Sequence, residues 1–334
     1  MAKTTRMLMR RSISTFLQDF HHFTSTPALF ALPFALSTLL SPPLVSSSRF
    51  FPLLHARLQA LLFASGLPPS SRLFSFLTLN LSRALLSFVF LLPFSLSSLL
   101  LSKAFVIRAL FPRHATSTSS SLSLSDHDTT RKKPVFFSWI TTLNRLVATQ
   151  FCNVLVVFSI NATCLSLLVA CFNALDFSGL SYSENTLSGV TISTAVVYSV
   201  VAANAYVVCH LALVVSCVEG RAGFGPVLEA CVLVRGRRRA ALALAVSTNA
   251  ALAGVEAIFR RRVVRGYYYY GRVMSWPVIL EAVLISYMYS VVLVVDAIAG
   301  CVLLEGCGSG YETIGRERDR RRSIFGKGES MEMV

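Results

Sequence analysis

Hydrophobic residues in this chain come in long blocks, and the polar residues collect between them. Positions 27–47 contain no acid or base, and 84–102, 146–175 and 190–217 repeat the pattern. A bilayer core about 30 Å thick is crossed by around 20 helical residues, so each block predicts a membrane-spanning helix. Two further blocks, 240–259 and 277–304, predict a fifth and a sixth span although they carry polar residues. Ala250 and Gly254 form a small-x-x-x-small pair, which lets helix backbones approach closely. That pair predicts a fifth helix buried among its neighbours. Pro33, Pro42 and Pro43 in the first block, and Pro93 in the second, predict kinks or early ends.

The segments between the blocks have patterns of their own. In residues 12–26, Ile13, Phe16, Leu17, Phe20 and Phe23 recur at helical spacing beside a cluster of cations. This predicts an amphipathic helix in the cytosolic headgroup layer. After the fourth block, Gly220, Gly223 and Gly225 predict a turn, and Pro226 suits the first turn of a helix. That helix runs from Val227 to Val234 and ends at Gly236 among Arg235, Arg237, Arg238 and Arg239, as an interfacial helix on the cytosolic surface. Residues 113–133 read as a Ser/Thr-rich linker. The fold class is therefore all-α: a polytopic membrane helical bundle of about six transmembrane helices, with an amphipathic N-terminal helix and a cytosolic interfacial helix. Its expected parts are a cytosolic segment at 1–26, a membrane domain at 27–305, and a cytosolic polar tail at 306–334.

Composition narrows the class. Apolar residues make up 54% and charged residues 14%, with a mean hydropathy of +0.62. Soluble domains carry roughly a quarter charged residues, so a water-soluble fold of this length lacks the polar skin it needs. Disorder is excluded by the same hydrophobicity. The net charge of +15 would point to nucleic acid in a soluble protein. Here the cations flank apolar blocks and serve topology, so no nucleic-acid partner is expected. A cytosolic N-terminus puts more than two-thirds of the 31 Lys and Arg residues on the cytosolic side. Arg260, Arg261, Arg262, Arg265 and Arg272 then fall awkwardly on the other side. The expected partners are the bilayer, anionic lipids at the cytosolic basic segments and other membrane proteins. The expected location is an endomembrane or the plasma membrane rather than an organelle, because the amphipathic segment leads directly into the first span.

The chemistry-bearing residues are few. Asp296 and Glu281 share the last block, Asn204 and His210 lie in the fourth, and Asn249 and Glu256 in the fifth. Ionisable groups inside a membrane are expensive and often functional. Fifteen residues separate Glu281 from Asp296, roughly 22 Å along a helix, too far for a catalytic carboxylate pair. Interhelical hydrogen bonding is the favoured role for these groups; a polar path for a small solute is the alternative. No cation is expected at the depth of Asp296, since Arg83 and Lys103 are assigned to span ends, where they snorkel. The cysteines form no C-x-x-C pair, and Cys152, Cys164, Cys171, Cys209 and Cys301 lie inside apolar runs as structural thiols. No metal site, cofactor or catalytic set is expected. Tyr267 to Tyr270, near Trp276, read as an interfacial aromatic belt.

Glu219, Gly223, Leu233, Gly236 and Arg237 carry a resemblance. A Glu closes a span, a Gly follows four residues later, and a surface helix ends in Leu before Gly and a basic residue. The arrangement resembles the signature of a large family of plant multi-pass transmembrane proteins of unknown function. It departs from that signature at Leu228, Glu229 and Ala230, where basic residues and a Ser are expected. The resemblance extends over nearly the whole chain and implies a membrane bundle without a known activity. The functional expectation is a non-catalytic structural, adaptor or assembly component, with a small-solute transporter or channel as the alternative.

Overall fold

The computed structural model describes residues 2–65, 72–111, 135–177, 184–266 and 276–329. The expected linker at 113–133 and the tyrosines at 267–270 lie outside them. Every element among the described residues is helical, with no strand. Six stretches are long and apolar enough to cross a membrane: Phe20–Ser47, Phe74–Leu110, Trp139–Cys171, Ile192–Glu219, Phe224–Val264 and Trp276–Gly306. The protein is thus an all-helical membrane protein.

Helix α1 (Ala2–Gln18) turns at Asp19 into α2 (Phe20–Ser47). The buried stripe of α1 is Leu8, Ser12 and Phe16, while Ile13 and Leu17 are exposed. The apolar face read from the sequence is therefore split. Phe16 and Phe23 turn into the main core, and α1 packs along the last helix and is not held by lipid alone.

Contrary to the expectation of an early end, α2 runs uninterrupted through Pro27, Pro33, Pro42 and Pro43. A proline deprives the carbonyl four residues back of its amide partner. Ser41 Oγ donates to the Thr38 carbonyl at 3.0 Å, the group that Pro42 leaves without one. At Pro42 a hydroxyl thus supplies part of what the proline removes, as membrane helices commonly arrange.

Helix α3 (Phe50–Ala64) was not expected, because Arg49, Arg57 and Pro52 interrupt its apolar run. At 15 residues it is too short to cross. It packs on α4 (Arg72–Phe94), with Leu62 against Phe74 and Leu77 and His55 Nδ1 at 3.3 Å from Ser82 Oγ. A π-helical segment, Ser95–Leu99, joins α4 to α5 (Leu100–Leu110) directly after Pro93. Widening the turn lets the helix continue past a residue with no amide to give, and Ser97 Oγ donates to the Pro93 carbonyl at 2.7 Å. The second span therefore extends well beyond 84–102 at both ends.

Helices α6 (Val135–Phe177) and α7 (Glu184–Glu219) run antiparallel. Their paired residues ascend along one and descend along the other. Thr149 Oγ1 lies 2.9 Å from Ser216 Oγ, Asn153 Nδ2 donates to the Cys209 carbonyl at 3.0 Å, and the Tyr198 hydroxyl donates to Asn161 Oδ1 at 2.9 Å.

The expected interfacial helix and fifth span are two halves of α8 (Phe224–Phe259), bent at Arg237, where φ is −136° and ψ 30°. The first half buries Val227, Ala230, Leu233 and Val234 in the main core. The second half buries Ala241, Leu244, Thr248, Leu252 and Phe259. Ala250 and Gly254 lie on the opposite, exposed face, with nothing within 4 Å of a Cβ built on Gly254. The expectation of a helix buried among others is therefore corrected: one face packs and the small-residue face does not. A second π segment, Arg260–Val264, follows.

Helix α9 (Trp276–Glu329) passes through the expected end of the last span and carries the polar tail as helix. Arg11 Nη2 on α1 bonds Glu305 Oε2 on α9 at 3.0 Å, so the first and last helices close on each other.

Candidate functional site

Asp296 is 5% exposed and lies roughly ten residues, ~15 Å, from the Gly306 end of its span. Its Oδ1 accepts from Thr248 Oγ1 of α8 at 2.9 Å. Its Oδ2 sits at ion-pair distance, 2.9 Å, from His210 Nε2 of α7 and accepts from the Tyr206 hydroxyl at 3.3 Å. Tyr206 and His210 are one helical turn apart, so they share a face of α7, and their rings stack at 6.1 Å. Lys103 of α5 is buried within electrostatic reach of the same carboxylate. Four helices thus converge on one acid.

Local sequence explains how these groups come so close. Gly300 is one turn beyond Asp296 on α9, facing α7. A Cβ there would stand 2.5 Å from His210 Cε1 and 2.8 Å from Nδ1, far inside van der Waals contact. The absent side chain is the space that the imidazole occupies. On α8, Thr248 belongs to the buried stripe that also holds Leu244 and Leu252.

Of the six polar residues singled out from the sequence, Asp296 and His210 are brought into contact. Asn249 is exposed, and its Nδ2 donates to the Ala245 carbonyl at 2.8 Å. Asn204 turns back onto its own helix, donating to the Val200 carbonyl at 2.8 Å. Glu256 pairs with Arg260 on the next turn, and Glu281 with Arg262 at 3.1 Å. These pairs give two of the awkwardly placed arginines their counter-charges. Lys103, Tyr206 and Thr248 were not singled out. The sequence places Lys103 at a span end; the structure corrects this, burying it because the apolar run continues through Ala104, Phe105, Val106 and Ile107.

The Glu219–Arg237 signature forms the joint between α7 and α8. Gly220 and Gly223 adopt φ of 66° and 85°, left-handed geometry that glycine reaches without strain. Ser216 Oγ donates to the Arg221 carbonyl at 2.7 Å, and the Gly223 amide donates to Thr149 Oγ1 at 3.3 Å. Arg221 Nη1 lies 3.6 Å from Glu219 and 3.7 Å from Glu229. Glu229 and the buried Ala230 stand where the resemblance fails, and each fits its surroundings here. Leu233 is buried, and the chain bends just after Gly236 at Arg237, whose guanidinium lies beside Gly306.

The site combines fixed hydrogen bonds and buried charge. Among the described residues, no group of three or more His, Cys, Asp or Glu side chains converges to hold a metal ion, and Cys152, Cys164, Cys171, Cys209, Cys217, Cys231 and Cys301 are free thiols.

A family model described as a domain of unknown function (DUF8558) matches residues 137–309, a little over half of the 334 residues. The matched range contains His210, Thr248, Asp296 and the whole α7–α8 joint. No curated protein and no solved structure matches the chain.

Proposed function

Because the chain belongs to the family of the domain of unknown function DUF8558, which carries no activity to transfer, we propose a role from the geometry alone. The protein works as a non-catalytic membrane component, a structural, adaptor or assembly subunit. The observation that carries this is the engagement of both Asp296 oxygens by side chains of α7 and α8. A carboxylate held on both oxygens and closed off from solvent is suited to fixing the arrangement of helices. Such a rigid frame suits a protein whose task is to present its outer faces. Phe151, Leu155 and Phe158 on α6, and Ile192, Val196 and Val200 on α7, are exposed apolar residues available to lipid or to other membrane proteins. The resemblance at Glu219, Gly223, Leu233, Gly236 and Arg237 supports a plant setting, and the charge distribution supports a cytosolic N-terminus in an endomembrane or the plasma membrane.

A second reading, a small-solute transporter or channel, is favoured by one observation. Asp296, His210 and Lys103 are ionisable and intramembrane, the residue types that carriers use for coupling. One experiment separates the two. Asp296→Asn keeps hydrogen-bonding capacity, with one acceptor oxygen and a donor in place of the second, and removes the charge. For a structural role, the variant accumulates to near-normal abundance and keeps the partners that co-purify with the native protein in mild detergent. For transport, it accumulates normally but loses the cellular phenotype completely, and that result overturns the structural reading.

A further inference from the structure

A cleft of about 140 Å³ opens between α1, α8 and α9, walled by Met9 and Ile13, by Leu244 and Ala251, and by Val292 and Val295. Three hydroxyls also border it, and each directs its proton away. Ser12 Oγ donates to the Leu8 carbonyl at 3.0 Å, Ser247 Oγ to the Leu244 carbonyl at 2.7 Å, and Thr248 Oγ1 to Asp296 at 2.9 Å. With its donors already committed, the cleft favours hydrocarbon over a polar solute. Ile13 also borders a shallow neighbouring hollow with Arg10, Ser14, Leu17 and Gln18, so one end of the cleft adjoins an exposed guanidinium. Helix α1 contains Lys3, Arg6, Arg10 and Arg11 and no acid. Arg11 is taken by Glu305, and Arg10 lines the adjoining hollow. An apolar slot beside a cation complements an amphiphile with a negative head.

We propose that this cleft holds a short segment of an acyl chain of a phospholipid with an anionic headgroup, whose phosphate is met by Arg10. The lipid seats α1 against α8 and α9, filling the gap that the side chains leave. This site is separate from the Asp296 cluster, which it touches through Thr248, and it does not depend on the structural reading above. Because the attraction to the headgroup is electrostatic and near the surface, it weakens as salt shortens the Debye length.

The full chain, purified in mild detergent, is exchanged into micelles containing equal amounts of phosphatidylglycerol and phosphatidylcholine with identical acyl chains. Retained lipid is then read by native mass spectrometry. The proposal expects retention with a several-fold preference for phosphatidylglycerol. Arg10→Gln should abolish the preference while leaving retention of both lipids, and Ala251→Trp, which fills the cleft, should reduce both several-fold. Ser247→Leu is the second cleft-filling variant and decides the matter if the tryptophan variant is not monodisperse. Unchanged retention in the cleft-filling variant, or an unchanged headgroup preference in Arg10→Gln, overturns the proposal.

Discussion

The Asp296 carboxylate receives Thr248 on one oxygen and His210 with Tyr206 on the other, so its substitutions separate shape from charge. Asn retains hydrogen-bonding capacity, and intramembrane contacts average below about 1 kcal/mol; Asp296→Asn should therefore be mild in thermal unfolding. Leu removes every partner and strands Lys103 and His210, and breaking a buried pair costs about 3–5 kcal/mol. Asp296→Leu should sharply lower abundance and melting temperature, and equal melting of the two variants would refute this ordering. Gly300 makes a second prediction. Gly300→Ala must push the imidazole off Asp296, because the added carbon would lie 2.5 Å from its ring. If His210→Ala is introduced first, the space is already open, so the double variant should be less destabilised than the sum of the singles. Additivity in that cycle would mean that the clash is relieved elsewhere. At this scale the sequence revealed the acid and the histidine, which stand out inside apolar runs. It concealed Lys103, because a cation near the end of an apolar block looks the same whether it snorkels or turns inward.

At the scale of the element, hydrophobic length identified the spans, since a run of about 20 apolar residues has few other uses. Their ends were less legible. The Ser41 hydroxyl serves the carbonyl that Pro42 leaves without an amide in α2, and the π turn after Pro93 joins α4 to α5. Both devices depend on where Ser and Thr fall relative to Pro. Ser41→Ala removes the donor to the Thr38 carbonyl and should cost about 1 kcal/mol, the net value of a typical hydrogen bond. Ser41→Thr, which restores the hydroxyl, should recover most of the loss in the same unfolding measurement. At the α7–α8 joint, Gly223 has φ 85° with open space around it, so only the backbone objects to a side chain. Gly223→Ala should destabilise by about 1–2 kcal/mol, whereas Gly225→Ala, which has equal room and no positive φ, should be nearly silent. Helix α3 was hidden because its arginines and proline broke the run, and it becomes visible only once α4 is there to receive Leu62.

For the whole molecule, the contact of Arg11 with Glu305 brings the N-terminal helix to the end of the last apolar stretch. An even number of crossings satisfies that contact, and six candidate spans supply it. Epitope tags placed before Ala2 and after Glu329 should therefore be accessible from the same side of sealed microsomes. Opposite accessibility would remove one crossing, with the run after Arg239 dipping in and returning. Carbonate extraction should leave the protein in the membrane pellet.

The meeting of first and last helices also bears on biosynthesis. The ribosome delivers Lys103, then His210, then Thr248, and Asp296 only afterwards. Until α9 inserts, the membrane holds a lysine and a histidine whose acidic partner has not yet been made, and α1 has no last helix to lie against. The nascent chain thus advertises its incompleteness to the quality-control machinery of the membrane. A chain terminated before Trp276 should be degraded quickly, and co-expression of the missing helix as a separate segment should extend its half-life, provided that segment keeps Asp296.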